Sequence, residues 1–405
     1  IIGDRFEIIK ELGIGTFGKV YKCFDNKHSD IVAVKCVRNI DRYTRSAKIE
    51  TQILRKTYYT QEAAHVSLLV KLYTSFVHVD HYCMVFEPLG KSLLDYIQEN
   101  KYIGFPISYV RLIAGQMLSA LSFLAGNNII HTDLKLENVL FVPNSDMTVE
   151  VEVPLLDRTE TKKIILPRIP NIKLIDFGGA TYENEKTKST IINTRQYRGP
   201  EVILELGWSF PSDVWSAGCI IAELVTGDLL FATHDNLEHL AMQQHLLEKF
   251  PSWMAYESPV KKEFYYSGTA NYRYDSLNQD ERKAIEEMDS LKLTCNRAIL
   301  DMRTLPLTPT PQTPIPVTKL VKHDLNQLTS TSNRSVQGKD SLRKRMNTNI
   351  PVCNDLLQLM KALLCVDPSR RYTAWSALQL DFFSGLERSG HCWAINSSQL
   401  PPGVS

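Results

Sequence analysis

Alternation of apolar and polar residues dominates the first ninety positions. Phe6–Leu12, Val20–Asp25, Ile31–Val37 and Tyr82–Glu87 have the period-two, β-branched character of strands, and the charged stretch Asp41–Lys56 between them reads as a helix. Beyond Gly90 the apolar spacing lengthens to the three-and-four step of helices at Val110, Ile113, Ala114, Met117, Leu118 and Leu121, and again over Val214–Leu224 and Leu356–Leu364. The pattern predicts an α+β chain of two lobes. A small sheet lobe with one helix covers residues 1–87, a larger and mainly helical lobe covers 88–387, and 388–405 form a tail.

Two stretches interrupt the helical lobe. Within 143–170, Val149, Val151 and Val153 alternate with Glu150 and Glu152, and Lys162 and Lys163 follow a turn, so a hairpin with opposite charges across its strands is expected as a surface decoration. From about 304 to 349 the chain is rich in Thr, Ser, Pro and Asn and holds Thr308-Pro309, Thr310-Pro311 and Thr313-Pro314, the composition of a flexible insert. Its excess of Lys and Arg over Asp reads as a solvated loop.

The remaining composition excludes several classes. At 405 residues and 43% hydrophobic content the chain can bury a substantial core. Its eight cysteines are scattered with no CxxC pair, which indicates neither a zinc site nor a disulfide framework and fits a reducing compartment. Apolar runs such as Ala217–Leu224 are shorter than the roughly 18 residues a bilayer span needs, so neither a transmembrane segment nor a signal peptide is expected. A net charge of +1 gives no steering toward nucleic acid or a membrane surface.

Chemistry concentrates in five places. Gly13, Gly15, Phe17 and Gly18 form a glycine-rich loop whose backbone N–H groups can approach phosphate oxygens; a helix-opening dinucleotide fingerprint is disfavoured because Val20–Phe24 continues as strand. Lys35 lies on the β-branched strand Ala33-Val34-Lys35, and Glu50 in the following helix can hold it. Farther on come His131-Thr132-Asp133-Leu134-Lys135-Leu136-Glu137-Asn138 and Asp176-Phe177-Gly178. In the order found, these are the residue types that phosphoryl transfer from ATP requires. Lys35 would clamp the α and β phosphates, Asp133 would accept the hydroxyl proton, Lys135 would neutralise the moving phosphoryl group, and Asn138 and Asp176 would hold Mg2+.

These motifs resemble those of eukaryotic protein kinases over essentially the whole chain, and more narrowly the LAMMER, or CDC-like, kinases of the CMGC group. The narrower likeness rests on His131-Thr132-Asp133, the hairpin before Asp176, the run Thr194-Arg195-Gln196-Tyr197-Arg198-Gly199-Pro200-Glu201, and Glu238-His239-Leu240-Ala241-Met242, which opens the family's namesake box. Where the family continues Met-Glu-Arg, this chain has Gln243-Gln244-His245. The resemblance implies the bilobal kinase fold and transfer to Ser or Thr, with Lys135 and Thr194 beside Asp133. It implies ATP and Mg2+ as cofactors and Arg/Ser-rich nuclear proteins as substrates. It also implies tyrosine autophosphorylation, a monomer, and a place in the nucleus and/or cytoplasm. Adenine would lie between Leu12, Val20 and Ala33 above and Leu140 below, bonded to the Glu87 carbonyl and the Leu89 N–H, with Phe86 as a bulky gatekeeper. Asp95 and Glu137 are candidates for the ribose and for basic substrate residues. Glu201 would pair with Arg371.

Departures from the family pattern also carry expectations. Thr132 stands where many kinases use an arginine to grip a phosphorylated activation loop, and Ile191 stands where relatives carry a regulatory tyrosine, so activity without loop phosphorylation is expected. The competing class is a pseudokinase scaffold, which characteristically lacks the strand lysine, the catalytic Asp or the metal Asp; Lys35, Asp133 and Asp176 are all present. A proline-directed CMGC kinase is the other alternative.

Overall fold

A computed structural model describes residues 1–63, 68–143, 148–154, 161–185, 188–261, 350–384, 386, 388–389 and 392–393. Strands β1 (Phe6–Ile14), β2 (Gly18–Asp25), β3 (Asp30–Val37), β4 (Leu72–His78) and β5 (His81–Phe86) form one antiparallel sheet in the order β1-β2-β3-β5-β4. The period of two divides β5 between two apolar clusters. Cys83 and Val85 pack with Phe6, Cys23, Val32 and Val34 on one face, while Met84 and Phe86 join the main core on the other. Helix α1 (Asp41–Ala63) covers that second face with Ala47, Glu50, Ile53 and Leu54, residues spaced to share one side of a helix. Gly18 is required by packing: a Cβ there would stand 2.1 Å from the Cys36 carbonyl oxygen across the β2–β3 pair.

The second lobe is helical. Helices α2 (Leu93–Glu99) and α3 (Ile107–Gly126) lead into the short strands β6 (Ile129–Ile130) and β7 (Val139–Phe141). After the hairpin β8 (Thr148–Pro154) and β9 (Thr161–Pro167) come β10 (Ile172–Leu174), paired with β7, and β11 (Thr181–Tyr182), paired with β6. Then follow α4 (Pro200–Ile203), α5 (Phe210–Thr226), α6 (Asn236–Leu246), α7 (Ser252–Glu257), α8 (Ile350–Leu363) and α9 (Ala374–Ala377). Helix α3 is long and apolar enough to cross a bilayer by length and composition, but 72% of its apolar window is buried in the domain, where it packs against α5 as a core helix.

The hairpin is more than a surface decoration. Its outer face carries the expected cross-strand ion pair, with Lys163 Nζ 2.8 Å from Glu150 Oε1. Its inner face buries Val151, Ile164 and Leu166 in the main core. Asn100 clasps the Ile165 backbone at both its N–H and its carbonyl, and the Tyr109 hydroxyl donates to the Pro167 carbonyl at 3.0 Å. Alternating Val and Glu announced the charged face; Ile164 and Leu166, two positions apart, share the buried one, and Ile165 between them is exposed. The Thr-Pro stretch at 304–349 lies outside the described residues.

One ion pair ties the stretch between α8 and α9 to α4. Arg371 meets Glu201 through two hydrogen bonds, Nη1 to Oε1 at 2.7 Å and Nη2 to Oε2 at 2.9 Å, and both side chains are almost wholly buried. The guanidinium also donates to the Cys365 and Pro211 carbonyls and lies 4.9 Å over the Trp215 ring. Glu201→Gln leaves this buried cation uncompensated, and we expect a loss of about 3–5 kcal/mol. Urea unfolding of the variant beside the parent measures it; a loss below about 1 kcal/mol contradicts the role given to the pair.

Candidate active site

Lys35 is the point at which three elements meet. It leaves β3 opposite Met84 of β5, and its ammonium lies 3.0 Å from Glu50 Oε2 on α1 and 2.8 Å from Asp176 Oδ1. Burial works against its charge, yet the two carboxylates prevail and hold its pKa above the ordinary lysine value. Asp176 is likewise opposed by burial and held below the usual carboxylate range by Lys35. The other oxygen of Glu50 accepts the Phe177 N–H at 3.2 Å, so helix and loop are joined twice. Phe177 itself is buried, its ring centroid 4.9 Å from that of His131.

The loop that carries Asp133 hangs from a buried carboxylate. Asp213, in the first turn of α5, accepts the His131 N–H at 2.7 Å and the Thr132 N–H at 2.9 Å. That clamp maintains Thr132 at φ 68°, an uncommon conformation for a β-branched residue. The Thr132 hydroxyl donates to the Gly179 carbonyl at 2.8 Å, and its own carbonyl accepts the Asn193 N–H. Asp133 is then fixed on two sides: Thr194 donates its hydroxyl to Oδ1 at 2.7 Å, and Lys135 Nζ lies 3.0 Å from Oδ2 and 3.2 Å from the Thr194 hydroxyl. Asn138 donates its amide to the Asp133 carbonyl at 2.8 Å. A half-exposed carboxylate with a cation beside it is an arrangement that can take a proton from a hydroxyl and steady an anion.

Around the cleft, Val20, Ala33 and Leu140 are partly buried, while Leu12 is exposed at the mouth. Phe86 is buried at the end of β5. Among the described residues no backbone hydrogen bond uses the Glu87 carbonyl or the Leu89 N–H, so both are available to a ligand edge. The Glu87 side chain turns away to Lys173 and the Lys71 N–H. Phe17 folds from the glycine loop over Lys35, 5.9 Å from its ammonium, and packs edge-on against Tyr43. Gly13 faces open space, and a Cβ at Gly15 would meet only the Gly18 carbonyl oxygen at 4.0 Å, unlike the crowded Gly18. Glu137 is exposed on the short turn after Lys135. Asp95 has a structural reason for its carboxylate: it accepts the Ser92 N–H and hydroxyl while Ser92 accepts the Asp95 N–H, a capping box that opens α2.

Three residues visible in the sequence carried no structural role there. Asp213 was legible only as a carboxylate at the head of an apolar helix. Arg198 donates to the Ile192 and Asn193 carbonyls and so orders the segment before α4 from within. Gln243, in the altered box, donates to the Arg198 carbonyl at 3.0 Å and lies 3.1 Å from His239 Nε2. Burial, with Arg198 and Arg195 nearby, pushes the His239 pKa down to about 3, so its imidazole stays neutral. Leu240, Ala241 and Met242 are core residues.

The protein kinase domain family matches residues 6–383. Serine/threonine-protein kinase AFC1 of Arabidopsis thaliana is 34% identical over 95% of this chain and 73% of its own length. Serine/threonine-protein kinase AFC2 of the same plant is 40% identical over 71% of this chain and 67% of its own. Dual specificity protein kinase CLK1 of Homo sapiens is 42% identical over 70% of this chain and 56% of its own. A solved kinase-domain crystal structure superposes with a TM-score of 0.73 at 32% identity, covering 95% of this chain and 96% of the other. The chain belongs to the protein kinase family, in the LAMMER, or CDC-like, branch of the CMGC group. It is a serine/threonine kinase that uses ATP and acts on protein substrates.

If Lys35→Met removes one charge-assisted contact worth about 1.5–3 kcal/mol, turnover should fall at least about tenfold. Steady-state peptide phosphorylation checks this, and near-normal turnover would falsify the clamp.

Proposed function

We propose that this kinase transfers the γ-phosphoryl group of ATP to Ser and Thr in Arg/Ser-rich nuclear proteins, with tyrosine autophosphorylation as a side activity. The observation that carries the reading is the Asp133 carboxylate held by the Thr194 hydroxyl with Lys135 alongside. Asp133 orients the acceptor hydroxyl and takes its proton, and Lys135 offsets charge on the group in transit. Lys35, fixed by Glu50, grips the α and β phosphates, and the glycine loop covers them. Val20, Ala33 and Leu140 enclose the adenine, with the Glu87 carbonyl and Leu89 N–H as its hydrogen-bonding edge.

Mg2+ fits the donors available. Among the described residues there is no group of three or more carboxylate, His or Cys side chains that could hold a metal by itself. Asp176 and Asn138, whose amide nitrogen is committed to Asp133, offer one carboxylate and one amide oxygen. Such a sparse set suits a cation that completes its shell with water and phosphate oxygens. When bound, Mg2+ would neutralise phosphate charge.

Arg/Ser-rich substrates are supported by the exposed Glu137 beside the acceptor site and by the family. Tyrosine autophosphorylation is supported by kinship with the human dual specificity enzyme. Independence from loop phosphorylation is supported by contacts that need no phosphate. Thr132 holds Asn193, Arg198 holds two segment carbonyls, Trp208 donates to the Ser189 carbonyl, and Ser209 donates to Glu183.

Two experiments test the proposal. On a degenerate peptide array, phosphorylation should favour Ser or Thr flanked by Arg and Ser, and Asp133→Asn should reduce it about 100-fold or more. A dominant demand for proline after the acceptor would instead mark a proline-directed enzyme. Phosphatase treatment that strips the segment should leave turnover within about twofold of the untreated protein; its abolition refutes phosphate-independent ordering.

A further inference from the structure

Two thiols face each other in the sheet that carries Lys35. Cys36 on β3 and Cys83 on β5 are direct cross-strand partners, and their Sγ atoms lie 3.6 Å apart. Opposed residues of an antiparallel pair have Cα atoms about 4.5–5.5 Å apart, inside the roughly 4.4–6.8 Å that a disulfide spans. Cys83 is fully buried, whereas Cys36, next in sequence to Lys35, is partly exposed. The Cys83 thiol donates toward Cys36, which lowers the Cys36 pKa against the opposing effect of burial; the same bond, with burial, raises that of Cys83. One thiol is thus poised to attack and reachable, and the other stands behind it as a proton donor.

We propose that Cys36 and Cys83 form a peroxide-responsive dithiol whose oxidation to a disulfide reversibly switches the kinase off. The Cys36 thiolate attacks one oxygen of hydrogen peroxide; the O–O bond breaks, and the hydroxide released takes a proton from solvent to become water. Cys36 is now a sulfenic acid. The Cys83 sulfur attacks the Cys36 sulfur, the S–S bond forms as the S–O bond breaks, and the Cys83 proton leaves with the hydroxide as a second water. Two thiols have given two electrons to one peroxide. Closing the sulfur separation from 3.6 Å to about 2.05 Å turns both side chains, and the bond then fixes the local β3–β5 geometry one residue from Lys35, so that the proposed loss of turnover is a shift of Lys35 from its place between Glu50 and Asp176. Displacing a positioned group by an ångström can lower turnover about 100-fold.

The full chain, treated with hydrogen peroxide and mapped without reduction, should yield a linked Cys36–Cys83 peptide. Its turnover should fall by about tenfold or more and return with dithiothreitol. Cys36→Val should form no link and keep its turnover at the same dose. Cys83→Ser should instead accumulate a dimedone-reactive Cys36. The proposal is overturned if both thiols stay free at a dose that oxidises a glutathione control. It is equally overturned if the link forms without loss of turnover, or if Cys36→Val is inactivated as fast as the parent. The peptide map and the dimedone readout do not depend on kinase activity.

Discussion

The structure depends first on a buried cation. Lys35 belongs to the sheet, Glu50 to the helix on its back, and Asp176 to the loop rising from the other lobe, and the ammonium between the two carboxylates makes it acceptable to bury Glu50 and to enclose most of the other two. Removing one member leaves charge unpaired in a region sparingly reached by water, so electrostatics couples the lobes at this seam alongside the apolar contacts of the shared core. The Phe177 N–H on Glu50 ties the same helix to the backbone of the Asp176 loop.

A second constraint lies below it. Asp213 binds two successive N–H groups and thereby stabilises a left-handed Thr132, a conformation that costs on the order of 1–3 kcal/mol when nothing repays it. The turn delivers Asp133 to Thr194 and Lys135, and it also frees the Thr132 carbonyl and hydroxyl to hold the segments on either side. Both contacts are short hydrogen bonds, from the Thr132 hydroxyl to the Gly179 carbonyl and from the Asn193 N–H to the Thr132 carbonyl. The altered box extends the same logic: Gln243 replaces an apolar residue with an amide that grips the Arg198 carbonyl, and Arg198 in turn grips the residues just before Thr194. Helix α6 is thereby linked, through Gln243, Arg198 and the Asn193 carbonyl, to the segment whose Thr194 hydroxyl holds Asp133.

The sheet that presents Lys35 has one chemically soft place. Cys36 and Cys83 are far apart in sequence and were legible only as scattered thiols, with no spacing that pairs them. Strand register brings them together, because β5 enters the sheet next to β3 while β4 takes the edge.

By itself the sequence determined the two-lobe α+β organisation, and it set out the glycine loop, Lys35, Glu50, Asp133, Lys135, Asn138, Asp176 and Thr194 as candidates for the site. These are readable because hydrophobic period reports local geometry, and because phosphoryl transfer demands particular residue types in a particular order. Tertiary structure alone decided what Asp213, Gln243, the inner face of the hairpin and the Cys36–Cys83 pair do. Each of these depends on which groups meet across long separations, and burial changes the meaning of a residue. It turns a carboxylate at a helix head into the anchor of the catalytic loop, assigns Asp95 to a helix cap, and makes a decorative hairpin part of the core. Local pattern carries no record of such meetings, since a side chain's charge and shape are written in the sequence but its neighbours are not.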